Sequence, residues 1–139
     1  MKQPSGIRQT PGRISLLIAA GSALGGLARV LTGELVALQG LPDELATLLV
    51  NLIGSFAVGW IYANSQAGGR LSHLDPAWLQ FLMPGVCAGF TTFSIFSLET
   101  LLLVQAGMLT AAALNLGLTL PLCLLAVWIG DRMGRPEPH

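Results

Sequence analysis

Three stretches of this chain carry no charged side chain for longer than a bilayer is thick: residues 45–69, 76–98 and 100–130. A helix needs about 20 mostly apolar residues to cross the hydrocarbon core, and each stretch supplies them. Only 10% of the residues are charged, against about 25% in an ordinary soluble domain, and the mean hydropathy is +0.67. The chain is an integral membrane protein, and a water-soluble enzyme is excluded. Seven Lys+Arg balance seven Asp+Glu, so no basic surplus marks the chain for nucleic acid.

A fourth apolar segment precedes these three. Lys2, Arg8 and Arg13 followed by apolar residues 14–20 imitate a secretory signal, but the apolar run continues past the small residues to Leu31, so it reads as a retained first helix. From Pro76 to Gly130 only Glu99 is charged, which is too long a stretch for one helix, and Gln105-Ala106-Gly107 is the place to turn. The expected architecture is all-α, a single membrane domain over residues 1–139. Its four transmembrane helices fall at about 14–31, 45–63, 78–104 and 108–130, with both termini on one side. Lys2, Arg8, Arg13, Arg70, Arg132 and Arg135 lie on the side of the termini and only Arg29 on the other; six against one places the termini in the cytoplasm. Cys87 and Cys123 sit inside apolar runs and read as small hydrophobes.

Span one is rich in small residues. Gly21 with Gly25, and Ser22 with Gly26, make two small-xxx-small pairs that let helix backbones approach closely in lipid, so a narrow cluster or a dimer interface is expected. In span two, Asn51, Ser55 and Gly59 recur every fourth residue on one face. Asn51 is either hydrogen-bonding glue between helices or the amide donor of a wet vestibule.

Span three holds the most unusual segment. Pro84 and Gly85, then Gly89 before Thr91-Thr92, predict a helix broken at midspan. Backbone groups freed there must meet protein, water or an ion, and freed carbonyls suit a hard monovalent cation; the alternative is a Ser/Thr-rich kink whose hydroxyls bond back to the helix. Phe93 and Phe96 share a face, as core packing or as ring edges turned toward a small anion. Glu99 lies roughly 10 Å off the midplane at helical rise, at a depth similar to Arg29, and an ion pair between them is expected. In span four, Asn115, Thr119 and Cys123 make a sparse polar track, and Pro121 is expected to bend the helix.

These residues resemble the Fluc/CrcB family of fluoride channels. The carriers are Gly25-Gly26-Leu27-Ala28-Arg29, Leu49-Val50-Asn51-Leu52-Ile53-Gly54-Ser55-Phe56 and, most specifically, Gly89-Phe90-Thr91-Thr92-Phe93-Ser94-Ile95-Phe96-Ser97-Leu98-Glu99. The resemblance implies an antiparallel, dual-topology dimer with two fluoride pores and a central structural Na+. Asn51 would then lie at a pore vestibule, Phe93 and Phe96 would face the pore, and Ser94, Ser97 and Glu99 would lie along or near the exit. The sodium ion would be held by the main-chain carbonyls of Ala88 and Thr91 from each subunit, with Gly25, Gly89 and Arg29 structural. Two positions depart from the family: Ala88 replaces the usual Gly, and Asn115 stands where the polar track usually begins with Tyr, followed by Thr119.

The expected function is passive, fluoride-selective export across the cell (inner) membrane, with fluoride and the lipid bilayer as partners. An antiparallel homodimer is expected, but a subunit that inserts both ways should have balanced flanks, so the six-to-one bias also admits pairing with a paralogue. A small proton-coupled multidrug exporter is the alternative; it needs a carboxylate near the middle of span one, and none lies between residues 14 and 31. No nucleophile–base pair or metal-ligand cluster for an enzyme can be assembled from the sequence.

Overall fold

A computed structural model describes residues 11–136, which excludes Lys2 and Arg8, and within them all regular structure is helical. α1 spans Pro11–Leu38 and α2 spans Asp43–Ser65. The third traverse is composite: α3 (Pro76–Gln80), a π-helical segment (Phe81–Cys87), α4 (Ala88–Phe90) and α5 (Phe93–Gln105). α6 (Leu109–Gly134) closes the chain and runs as one helix through Pro121. Among the described residues, four units are long and apolar enough to cross a membrane: Pro11–Leu38, Asp43–Ser65, Pro76–Gln105 and Leu109–Gly134.

The helices outrun the apolar windows that announced them. The 28 residues of α1 rise about 42 Å at 1.5 Å each, against a hydrocarbon core of about 30 Å. Arg13 and Glu34 therefore belong to the helix while standing toward the headgroups. Both turns at one end of the bundle are built alike. Gly40 (φ 68) and Gly107 (φ 74) sit just past α1 and α5 in the left-handed region. Leu41 N–H then donates to the Val36 carbonyl (3.4 Å), and Met108 N–H to the Leu103 carbonyl (2.9 Å), which satisfies the last carbonyls of each helix. At the other end Asp75 caps α3, its Oδ1 accepting from Ala77 N–H at 2.9 Å, with Pro76 at the first helical position.

Two close helix contacts organise the bundle: α1 against the first half of the third traverse, and α2 against α6. Glycine makes both possible. A Cβ on Gly21 would meet the Phe81 carbonyl oxygen at 2.5 Å, and one on Gly25 would overlap the Val86 carbonyl and meet Phe90 N at 2.7 Å. Gly89 is equally tight against Ser22, whereas Gly26 faces open space. The small-residue stripe of span one is thus spent inside the chain. Between α2 and α6, Gly59 backs onto Val127 and Gly130 onto Phe56. The π-helical segment accommodates Pro84, which lacks an N–H and whose ring would strike the carbonyl four residues back; widening carries the Ala88 N–H to the Met83 carbonyl, five residues away. Cys87 and Cys123 are free.

Candidate functional site

The third traverse changes conformation after Phe90. Thr91 (φ −76, ψ 159) and Thr92 (φ −150, ψ 120) are extended, and helix resumes at Phe93. Backbone groups here lose their helical partners, and inside a bilayer they need replacements. Asn51 supplies two. Its Oδ1 accepts from Thr92 N–H at 2.7 Å, and its Nδ2 donates to the Thr92 carbonyl at 3.0 Å. The Asn51 side chain thereby pairs with Thr92 as a neighbouring strand would. Thr92 in turn caps α5, its Oγ1 accepting from Ile95 N–H at 3.2 Å, and Thr91 Oγ1 donates back to the Cys87 carbonyl at 3.1 Å.

Among the carbonyls that the break relieves of their helical donors are those of Ala88 and Thr91. Thr92 N–H, which would serve the Ala88 carbonyl, is spent on Asn51, leaving that carbonyl only Thr91 Oγ1 at 3.5 Å. Ile95 N–H, which would serve Thr91, is spent on the Thr92 hydroxyl. Ala88 itself has an ordinary helical backbone (φ −68, ψ −33), so Ala is accommodated there without strain.

A cleft of about 330 Å³ opens beside this segment, between α2, the extended threonines and α6. Asn51, Ser55, Thr91 and Thr92 line one part of it, and Phe93, Phe96, Thr119 and Cys123 another. The two phenyl rings lie 5.7 Å apart, tilted by 46°. They are not equivalent: Phe96 is 2% exposed and Phe93 71%, so one ring is set in the fold and the other stands on its outer face. Ser94 and Ser97 are exposed and do not line the cleft. Ser94 Oγ lies 3.3 Å from Thr92 Oγ1, and Ser97 Oγ donates to the Phe93 carbonyl at 2.8 Å.

Glu99 belongs to a second cleft of about 390 Å³, lined also by Arg29, Asp43, Thr47 and Thr92. The expected ion pair with Arg29 does not form. Glu99 Oε1 instead accepts from Thr47 Oγ1 at 2.6 Å, and the ion pairs among the described residues are Arg13–Asp75 at 3.5 Å and Arg135–Asp131. The reason lies in the packing: α2 touches α5 directly, whereas α1 lies on the first half of the third traverse, so Thr47 reaches Glu99 and Arg29 forms part of the cleft wall. Glu99 Oε2 is buried without a hydrogen-bond partner.

Asn115 and Thr119 are linked. Thr119 Oγ1 donates to Asn115 Oδ1 (3.4 Å), Asn115 Nδ2 to Thr100 Oγ1 (3.0 Å), and Thr100 Oγ1 to the Phe96 carbonyl (2.8 Å). Asn115 and Thr119 also line a third cleft of about 400 Å³ with Pro42 and Met108, toward the short turns. Thr47 and Thr100 join the site without having been singled out by composition or charge, although spacing carries a signal for each. Thr47 extends the stripe of Asn51, Ser55 and Gly59 by one more interval of four, and Thr100 follows Thr92 and Phe96 at the same spacing.

Residues 16–131 match the family model described as CrcB-like protein, Camphor Resistance (CrcB). The fluoride-specific ion channel FluC 1 of Rhodopseudomonas palustris is 47% identical over 82% of this chain and 81% of its own length. The fluoride-specific ion channel FluC of Paramagnetospirillum magneticum is 44% identical over 82% of this chain and 89% of its own, and that of Shewanella amazonensis is 44% identical over 85% and 93%.

Proposed function

Because the chain belongs to the CrcB family of fluoride-specific ion channels, we propose that it conducts fluoride through the cleft beside Thr91 and Thr92. The observation that carries this reading is the convergence there of Asn51, Phe93, Phe96 and Thr119. Fluoride is strongly hydrated, so a pore must replace its water with donors. Asn51 commits one amide hydrogen to Thr92 and keeps the other, and the phenyl edges add weak positive potential. No Lys or Arg lines this cleft, which favours release, because a conducted ion must not be held tightly.

The pathway is incomplete in one chain, since Phe93 stands on the outer face. A second, inverted subunit would cover it and produce two pores related by the two-fold axis. The same pairing would bring together the Ala88 and Thr91 carbonyls of both subunits, whose helical donors are spent on Asn51 and on the Thr92 hydroxyl. These carbonyls would hold a structural Na+, which supplies fixed positive charge at the centre of the dimer. Ser94, Ser97 and Glu99 would lie near the exits, with Asn115 and Thr119 as a polar track. Fluoride enters acidified cells as the neutral weak acid, dissociates inside, and leaves through the channel down its gradient across the inner membrane.

The test is anion efflux from liposomes made by removing detergent from the purified protein, which lets chains meet in either orientation. Rapid fluoride efflux without chloride efflux, lost in Phe96→Ile, is expected. Equal efflux of both anions, or none from folded protein, overturns the reading.

A further inference from the structure

The cleft beside the extended threonines does not end at midspan. It shares Thr119 with the cleft of about 400 Å³ toward the short turns, and Val58 and Val127 with a further cleft of about 460 Å³ at the foot of α6. One ridge of α6 runs through all three. Asn115 and Thr119 line the first, Thr119, Cys123 and Val127 the middle one, and Val127, Asp131 and Arg135 the last. These residues recur at every fourth position, so they follow one another along the helix surface. From Asn115 to Arg135 the ridge rises about 30 Å at 1.5 Å per residue, the thickness of the hydrocarbon core. The polar part of this ridge belongs to the pathway already described, and the charged pair at its foot does not.

The last cleft opens the groove at the end of the bundle opposite the short turns, and its charged lining residues are Asp131 and Arg135. The foot of α6 is held there by close packing: a Cβ on Gly134 would meet the Trp60 carbonyl oxygen at 2.7 Å. Arg135 Nε donates to Asp131 Oδ2 at 2.9 Å, and Nη2 donates to the same oxygen. A guanidinium carries five N–H donors, so three remain, on a side chain 61% exposed against 21% for Asp131. Without Arg135 this mouth would repel anions, because the Asp131 carboxylate is joined by the partial negative charge of a helix C-terminus. Arg135 also lies beyond residue 131, where the family match ends. We infer that fluoride passes between the groove and water through this mouth, and that Arg135 captures it there by offsetting Asp131 and the helix end. The inference rests on the fluoride-conducting cleft proposed above. An exposed guanidinium shared with a carboxylate attracts the hydrated ion without holding it, as conduction requires.

The test is fluoride efflux from proteoliposomes of the full chain, with fluoride well below saturation and an impermeant organic salt setting the ionic strength on both sides. A unit charge about 7 Å from an ion in water changes the local ion concentration about threefold. Arg135→Gln is therefore expected to slow efflux about threefold at an ionic strength of about 0.01 M, where the Debye length is about 30 Å. At about 1 M, where that length is about 3 Å, the variant should match wild type. Arg135→Lys keeps the charge and is expected to keep the wild-type rate, and Asp131→Asn is expected to raise it at low ionic strength. Arg13→Gln removes the same charge from α1, at a position that lines none of the three clefts, and is expected to leave the rate unchanged. The inference is overturned if Arg135→Gln keeps the wild-type rate at low ionic strength, if its loss is the same at both ionic strengths, or if Arg13→Gln loses as much. Folded wild type that conducts no fluoride overturns the channel reading and the inference with it. Conducting wild type with an indifferent Arg135 overturns the inference alone.

Discussion

The Asn51–Thr92 pairing sets a measurable stability. Replacing Asn51 by Ala removes an acceptor at 2.7 Å from Thr92 N–H and a donor at 3.0 Å from the Thr92 carbonyl, and both residues are buried. A buried polar group left unsatisfied costs about 1–3 kcal/mol, which puts an upper range of about 2–6 kcal/mol on the pair. Side-chain hydrogen bonds within membranes measure lower, about 0.6 kcal/mol on average and about 1.7 at most, because the unfolded chain in the membrane also finds partners. At Thr92 that relief is limited, since its extended backbone gives its N–H and carbonyl no helical partner to return to. The expected loss is therefore about 2–3 kcal/mol, or a fall of about 30- to 150-fold in the folded-to-unfolded ratio. The assay is SDS titration of the protein in mixed micelles, followed through Trp60, Trp78 and Trp128. Ser55→Ala is the control, a half-buried position on the same helix face, expected to change stability by less than about 0.5 kcal/mol. If Asn51→Ala and Ser55→Ala lose the same amount, the side chain does not hold the extended segment and the reasoning fails.

A double-mutant cycle separates the two candidate partners of Glu99: Thr47→Val with Glu99→Gln should couple by about 1.5–3 kcal/mol, as a hydrogen bond to a charged group does, while Arg29→Met with Glu99→Gln should be additive to within about 0.5 kcal/mol. Gly25→Ala forces a methyl into the Val86 carbonyl and should lose about 1–3 kcal/mol or more, visible as reduced monodisperse yield; Gly26→Ala, which meets open space, should leave the yield unchanged. If the proposed dimer holds the proposed Na+, exchanging Na+ for a bulky organic cation during purification should lower the stability of the reconstituted assembly, and an unchanged stability would remove the sodium ion from the reading. Phe93→Ala should slow fluoride efflux while lowering the stability of the single chain by less than Phe96→Ala, because the Phe93 ring is exposed there and the Phe96 ring is buried.

Much of the site was legible because membranes make polar residues conspicuous. Asn51, Thr91, Thr92, Glu99, Asn115 and Thr119 stood out against an apolar background, and a period of four grouped Asn51 with Ser55 and Asn115 with Thr119. Partners were less legible than positions. Depth alone pointed Glu99 toward Arg29, since both lie at a similar height, but height does not say which helices touch. Thr47 carried no charge and drew no attention, yet α2 packs on α5 and delivers its hydroxyl to 2.6 Å. The phenyl pair shows the same limit: spacing put Phe93 and Phe96 on one side of a helix, and packing decided that one is core and the other surface.

By itself the sequence determined that the chain lives in a bilayer, how many times it crosses, where it turns, and which family it joins. These follow from local properties: apolar length against membrane thickness, polar and flexible residues between the apolar runs, and a run of small and hydroxylated residues too specific to arise from packing alone. Tertiary structure decided what each polar group binds. It spent the span-one glycines on the third traverse, set Asn51 against the Thr92 backbone, and left the Ala88 and Thr91 carbonyls without helical donors. Such outcomes depend on which helix faces meet, and in lipid, where apolar residues cover most of each helix, hydrophobic patterning does not announce those faces.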